Sequence, residues 1–578
     1  MQFLKNFKFL KPYIKDQKKN ILIMLLALTI SSSSILAFGK YIHYAIDNIS
    51  IHSAKSDFLY YFIVQNSLIL ILAIGTALRY YFTSSIGEKI VLGIKKDLFS
   101  HLMKFSPSYF ESKKIGEVIS LIQNDTMVIQ NFMGSNLSVA LRNIIMFCGS
   151  ATMLLMSSQK LTLLIILLIP LVIIPIIILG KKLKSISRQI QDQQCNLTSI
   201  CEESISTIKI LQSYCKENLQ INTYSKNLTY TKNLEMKFAK IKGLLIFIII
   251  FLIFFGIGMI LWYGGYEVMN GKMSVGELSS FVFLSIICAG AISSLSETLS
   301  HTIKTSTACE KAASFLNLKS DIIETTNAHS IKNVNLETIE FKNINFSYPA
   351  KKDEHVLNNI NLVFNKGEKI AIVGKSGAGK STFFQLLMRF YEPQNGEISF
   401  NNIGIKEIKI NELRSKFAYI PQEPVIFSST IYDNILIGNP KASYEEILEI
   451  SKLCAVDEFA QKLDDKHNTF IGEKGVRLSS GQKQRICIAR AILSDADVFL
   501  FDEATSYLDY KNELMIKNNL KEILKDKLTI TIAHRLSTIT DSDKIIIVND
   551  GIIVESGTHE SLISNNDVYS KLFSAGIK

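Results

Sequence analysis

Six stretches of the chain carry no Asp, Glu, Lys, Arg or His: Ile21 to Gly39, Phe58 to Leu78, Asn143 to Gln159, Leu161 to Gly180, Gly243 to Tyr266 and Leu278 to Ser296. Each approaches the roughly 20 residues that a helix needs to cross the hydrocarbon core of a bilayer. One such stretch alone fits a buried soluble helix, but six in succession predict a membrane domain. The third is the least apolar, because it holds Ser150, Thr152, Ser157 and Ser158. Pro170 and Pro175 in the fourth remove backbone donors and can kink it. Between the second and third stretches, and between the fourth and fifth, lie the long helix-favouring segments Arg79 to Arg142 and Lys181 to Lys242, with apolar and charged residues interleaved. We read them as continuations of the spans that double back at Ser106 to Phe110 and near Ser204 to Tyr214. On spacing alone a solvated loop is an open alternative.

After about residue 335 the pattern changes to short strand-like runs alternating with helical segments of ordinary polarity, the sign of an α/β domain. The division read from this pattern is residues 1–20 as an N-terminal interfacial helix, 21–305 as a six-helix transmembrane domain, 306–336 as a polar linker and 337–573 as a nucleotide-binding domain. The first 20 residues are basic and aromatic, with Lys8, Lys11 and Lys15 among Phe7, Phe9 and Tyr13, which suits the membrane surface. The apolar run after them is too long for a signal-peptide core.

Composition adds a net charge of +11. Nucleic acid is one reading of that excess, but the Lys and Arg concentrate at the N-terminus and in the two long interspan segments, so the positive-inside rule puts these and both termini in the cytoplasm. We therefore expect no nucleic-acid partner. The eight cysteines show no C-x-x-C pair and no disulfide pattern, as expected of reduced thiols facing the cytosol. Uncharged spans argue against an ion or proton path and favour an apolar or amphipathic cargo. Abundant Lys, Ile and Asn suggest an AT-rich bacterial genome.

The chemistry concentrates in the second half. The apolar run Ile370 to Val373 leads into Gly374-Lys375-Ser376-Gly377-Ala378-Gly379-Lys380-Ser381-Thr382 and then a helical segment. This matches the phosphate-binding loop G-x-x-x-x-G-K-[ST], in which backbone N–H groups and a helix N-terminus surround phosphates. Lys380 is then expected to reach the β- and γ-phosphates and Ser381 to ligate Mg²⁺. Tyr348 is a candidate to stack on adenine, with core packing as its alternative. Gln422 ends a short strand. Leu478-Ser479-Ser480-Gly481-Gln482 opens a helix and offers a second anion site. Val498 to Glu503 reads as a buried strand ending in two carboxylates, Asp502 for Mg²⁺ and Glu503 for a water attacking the γ-phosphate. His534 ends another strand, placed to contact the γ-phosphate.

Together these motifs resemble the ABC transporters, specifically half-size exporters similar to bacterial lipid A flippases and multidrug exporters. The resemblance covers essentially the whole chain. It implies an α-helical transmembrane domain of exporter type, six spans with long cytoplasmic extensions, followed by an α/β P-loop ATPase domain. It implies ATP and Mg²⁺ as cofactors and assigns Glu503, His534, Gln422 and Lys380 to catalysis. Tyr348, Gly374 through Thr382, Ser479, Ser480, Gly481, Gln482 and Asp509 would bind nucleotide, and Ser381, Gln422 and Asp502 the metal. Turns containing Phe110, Gly116 and Glu117, and Ile208, Lys209 and Leu211, resemble the family's coupling segments. Two residues depart from the family pattern: Ser480 stands where a glycine is usual and Tyr507 where a small residue is usual. The resemblance further implies a dimer with two composite ATP sites, built with a second copy or a related half-transporter. Its implied task is to move a lipid, lipopeptide or drug-like amphiphile across a bacterial inner membrane. An ATP-gated channel is the alternative. A soluble ABC ATPase acting on DNA or ribosomes, or an importer, fits less well.

Overall fold

The computed structural model describes residues 6–51, 55–112, 115–325, 327–351, 353–504, 509–533, 539–565 and 567–574. The chain forms two compact units, Met1–Phe99 with Ile119–Leu316 and Ser100–Val118 with Asn317–Lys578.

The first unit is helical. Helix α1 spans Lys18–Ile51 and α2 spans Lys55–Leu102; α3 (Pro107–Ser112) belongs to the second unit. From Ile115 the chain runs helically, through two wider turns at Leu121–Asp125 and Phe132–Asn136, into α4 (Leu137–Ser157). Ser158 adopts an extended conformation and its side chain caps α5 (Gln159–Ser206). Helices α6 (Ile208–Ser213), α7 (Glu217–Met269) and α8 (Val275–Asn317) complete the unit. The helix breaks at Met103 to Ser106, just ahead of the expected Ser106 to Phe110, which begins α3 instead, and again around α6, within the expected Ser204 to Tyr214. Helix α5 continues through Pro170 and Pro175 without a break.

Six helical stretches among the described residues are long and apolar enough to cross a membrane. In the most apolar window of α5 none of the side chains is buried. Leu163, Ile166 and Leu167 on α5 and Phe247, Phe254 and Trp262 on α7 all face outward. A water-soluble fold does not leave so continuous an apolar surface uncovered, whereas hydrocarbon covers it at no cost.

Two segments differ from expectation. Among the described residues of the segment 1–20, in place of one helix there are a short turn at Phe7–Leu10, a helix at Lys11–Lys15 and then the start of α1. Leu10 is buried, the Phe7 ring lies 5.6 Å from Phe132, and the Tyr13 hydroxyl donates to Asp97 at 2.7 Å. The apolar side of this segment is therefore spent on the helices. At the other end α8 runs on to Asn317, so the fall in hydropathy near residue 306 marks a change of surroundings rather than the end of a helix.

The second unit contains two sheets. A four-stranded antiparallel sheet has the order β2-β1-β4-β5, from β1 (Thr338–Phe346), β2 (Leu357–Asn365), β4 (Asn395–Phe400) and β5 (Ile403–Gly404). A six-stranded sheet has the order β10-β9-β3-β8-β7-β6, from β3 (Lys369–Val373), β6 (Phe417–Ile420), β7 (Val498–Asp502), β8 (Leu528–Ile532), β9 (Lys544–Asn549) and β10 (Ile552–Gly557). Its pairs are parallel except at β9–β10. Strand β3 is covered on both faces, hence its uninterrupted Ile370-Ala371-Ile372-Val373. Helix α9 (Lys380–Leu387) follows β3, and its Phe383 and Phe384 are fully buried in the core that also holds Phe341 and Phe364. In parallel sheets of this kind ligands bind beyond the carboxyl ends of the strands, where β3 and β7 deliver their loops and β8 ends between them.

Candidate nucleotide site

The loop between β3 and α9 depends on close backbone approach. A Cβ at Gly374 would lie 2.1 Å from the Val548 carbonyl oxygen on β9, so only glycine fits. Gly379 has φ +94°, and a Cβ there would meet the Val356 carbonyl at 2.8 Å. Lys380 opens α9 and folds back, donating from Nζ to the carbonyls of Gly374 at 2.7 Å and Lys375 at 2.9 Å. Its ammonium is buried, and burial pushes its pKa below the ordinary lysine value against the opposing pull of Glu503 and Asp502.

Two carboxylates meet this loop from the end of β7. The Ser381 hydroxyl donates to Asp502 at 3.4 Å, and the Tyr419 hydroxyl on β6 donates to its other oxygen at 3.3 Å. Burial raises the Asp502 pKa, opposed first by the Tyr419 and Ser381 hydrogen bonds. Glu503 follows in the left-handed region with φ +49°, an unfavourable conformation for a residue with a Cβ. The Gln422 amide donates to Glu503 at 2.9 Å. A hydroxyl and a carboxylate converging at the foot of a phosphate loop are the oxygen donors that a hard divalent cation takes, so Ser381 and Asp502 fit Mg²⁺. The described hydrogen bond takes Gln422 to Glu503.

Tyr348 is half-buried beside α9, its hydroxyl 3.0 Å from that of Thr382, and its ring makes edge contacts with Phe346 at 4.9 Å and Tyr391 at 5.1 Å. The signature segment opens α10 (Ser480–Leu493), with Ser479 as N-cap: its hydroxyl accepts from Gln482 N while the Gln482 side chain accepts from Ser479 N. Ser480 is exposed. Among the described residues no hydrogen bond joins this segment to the phosphate loop. Asp509 precedes α11 (Tyr510–Leu520) and is also exposed. His534, Ser506 and Tyr507 lie outside the described residues.

Sequence reasoning passed over Tyr419 and Arg79. Tyr419 sits in an apolar strand, and only strand alternation hints that it turns towards Asp502. Arg79, just past the second uncharged stretch, reads as one more solvated cation. Instead it is buried in the first unit, donating to Ser138 at 2.9 Å, with Arg142 close enough for mutual repulsion. The Nε atoms of both arginines lack partners.

A phosphate loop fused behind six apolar helices defines a membrane-embedded ATPase. The family described as "ABC transporter transmembrane region" matches residues 21–292, and "ABC transporter" matches residues 357–506. A putative export ATP-binding/permease protein of Rickettsia prowazekii is 37% identical over 97% of both chains. An ATP-dependent lipid A-core flippase of Pseudoalteromonas translucida is 34% identical over 85% of this chain and 84% of its own. The structure of a bacterial Atm1-family ABC exporter with ATP bound shares the fold, with TM-score 0.84 at 23% identity over 97% of this chain and 98% of that one. The chain belongs to the ABC transporter family. It is a multi-pass membrane protein of the exporter type that binds ATP and couples its hydrolysis to transport.

Proposed function

We propose that this protein exports or flips a hydrophobic or amphipathic substrate across a bacterial inner membrane, with both termini and the ATPase domain in the cytoplasm. Two ATPase domains close over ATP, and the membrane half alternates its access. The observation that carries the ATPase reading is the convergence of Lys380, Ser381, Asp502, Glu503 and Gln422 at the ends of β3, β6 and β7. Glu503 orients and deprotonates the attacking water, Gln422 holds the Glu503 carboxylate, and Lys380 and His534 meet the γ-phosphate. Ser381, Asp502 and Gln422 would hold Mg²⁺, which would supply neutralisation of phosphate charge. The signature residues Ser479, Ser480, Gly481 and Gln482, with Asp509, serve the phosphate loop of a second copy or a related half-transporter. In support, Ile205, Ile210 and Tyr214 lie exposed at the reversal around α6, an apolar tip that suits coverage by another subunit.

The buried Arg79 with Arg142 beside it favours an amphiphile with an acidic head over a neutral one, because among the described residues both Nε donors lack a partner and no carboxylate forms an ion pair with either guanidinium. The test is ATPase stimulation in proteoliposomes by a panel of anionic, zwitterionic and neutral amphiphiles, with Arg79→Ala in parallel. Anionic members should stimulate the wild type selectively, and Arg79→Ala should abolish that selectivity. An ATP-gated channel would instead pass ionic current across reconstituted bilayers.

A further inference from the structure

We propose that Glu111 is a positioning residue for the ATP site, acting through Tyr391 on Tyr348. The inference rests on the reading of Tyr348 as the residue that meets the nucleotide base. Helix α3 follows the turn at the end of α2, and two polar contacts join it to other residues of its own unit, the ATPase unit. The Ser108 hydroxyl donates to Asp321 at 2.9 Å, and the Tyr391 hydroxyl donates to the Glu111 carboxylate. Tyr391 is 4% exposed, so its phenol has given up water for this one acceptor. Burial and the Glu111 carboxylate together push its pKa well above the ordinary tyrosine value.

From Tyr391 the contacts continue without a gap. Its ring meets the edge of Tyr348 at 5.1 Å and that of Phe346 at 5.7 Å, a geometry that fixes ring orientation as well as distance. The Tyr348 hydroxyl is 3.0 Å from Thr382, the neighbour of Ser381 on α9. A carboxylate on the turn that continues α2 thus sets the lateral position of a ring beside the phosphate-loop helix.

The experiment is steady-state ATPase on the full-length protein in phosphatidylglycerol-containing proteoliposomes, for Glu111→Ala, Glu111→Gln, Tyr391→Phe, the Glu111→Ala/Tyr391→Phe pair and Tyr348→Ala. Glu111 is exposed and Tyr391→Phe keeps the rings, so both variants should fold. Losing this hydrogen bond should raise KM for ATP about three- to tenfold, with kcat within about twofold of wild type. Glu111→Gln should stay near wild type, because its amide oxygen still accepts from the phenol. The double variant should be no worse than either single, since both remove the same bond. An unchanged KM in Glu111→Ala and Tyr391→Phe, additive losses in the pair, or a fall in kcat equal to the rise in KM would overturn the proposal while Tyr348→Ala still raised KM. If Tyr348→Ala itself left KM unchanged, the reading of Tyr348 would fall and the proposal with it.

Discussion

Replacing Glu503 by Gln separates the chemistry of the site from its architecture. The amide has the shape of the carboxylate, and its oxygen still accepts from Gln422 across the 2.9 Å contact. Backbone strain at φ +49° is unchanged, because Glu and Gln share it equally. Only the negative charge and the basic oxygen are lost. Asp502 stays in contact with Ser381 and Tyr419, so the groups proposed to hold ATP and Mg²⁺ are undisturbed. A positioned general base contributes about 100- to 10,000-fold, so turnover should fall by that factor, equivalent to about 2.7 to 5.4 kcal/mol of barrier. Phosphate release from proteoliposomes gives the rate, and a fluorescent ATP analogue gives the affinity, expected within about twofold of wild type. A wild-type rate would remove Glu503 from the mechanism. Loss of rate together with loss of nucleotide binding would make it a structural residue.

Asp502→Asn tests the electrostatics next door. Burial holds the Asp502 carboxyl protonated to a higher pH than in the unfolded chain. Between those two values the folded state binds the extra proton, so stability should fall as pH rises from the ordinary carboxylate range through the raised value. Asp502→Asn should flatten that slope, raise the thermal midpoint at neutral pH without nucleotide, and abolish the added stabilisation by Mg-ATP over ATP; an unchanged slope counts against the assignment. Gly374→Ala places a Cβ 2.1 Å from the Val548 carbonyl and must displace the loop by about 1 Å, which should lower turnover about 100-fold; a near-normal rate refutes the close-approach reading. Arg389 is 2% exposed, pairs with Glu392 at 2.8 Å and donates to the carbonyls of Ile323, Ile405 and Ile408. Arg389→Met should destabilise the ATPase unit by about 3 to 5 kcal/mol in denaturant unfolding, and a change under 0.5 kcal/mol would contradict it.

What was legible in the sequence was local. The phosphate loop, the strand-end pair Asp502 and Glu503 and the six uncharged stretches are each written in consecutive residues whose spacing is fixed by backbone geometry. What was not legible depends on distant partners. Tyr391 and Glu111 are 280 positions apart, and nothing near either one marks the other. Arg79 looked like a solvated cation because composition does not report which helix face is turned inward. The continuation of α8 to Asn317 was hidden by polar residues that a helix tolerates equally outside a bilayer.

Lys380 joins these levels. An ammonium has three donors, and the carbonyls of Gly374 and Lys375 take two of them, leaving one for a phosphate oxygen. Those carbonyls belong to a loop that Gly374 seats against Val548, so the cation's position is set by the sheet rather than by its own flexible stem. Burial then works against its charge while Asp502 and Glu503 work for it. An incoming phosphate shifts that balance towards the charged form, because it brings negative charge to a cation whose hydration has already been lost. On the proposed reading of Lys380, the loop's backbone thereby contributes to the selection of a polyanion together with the lysine's charge.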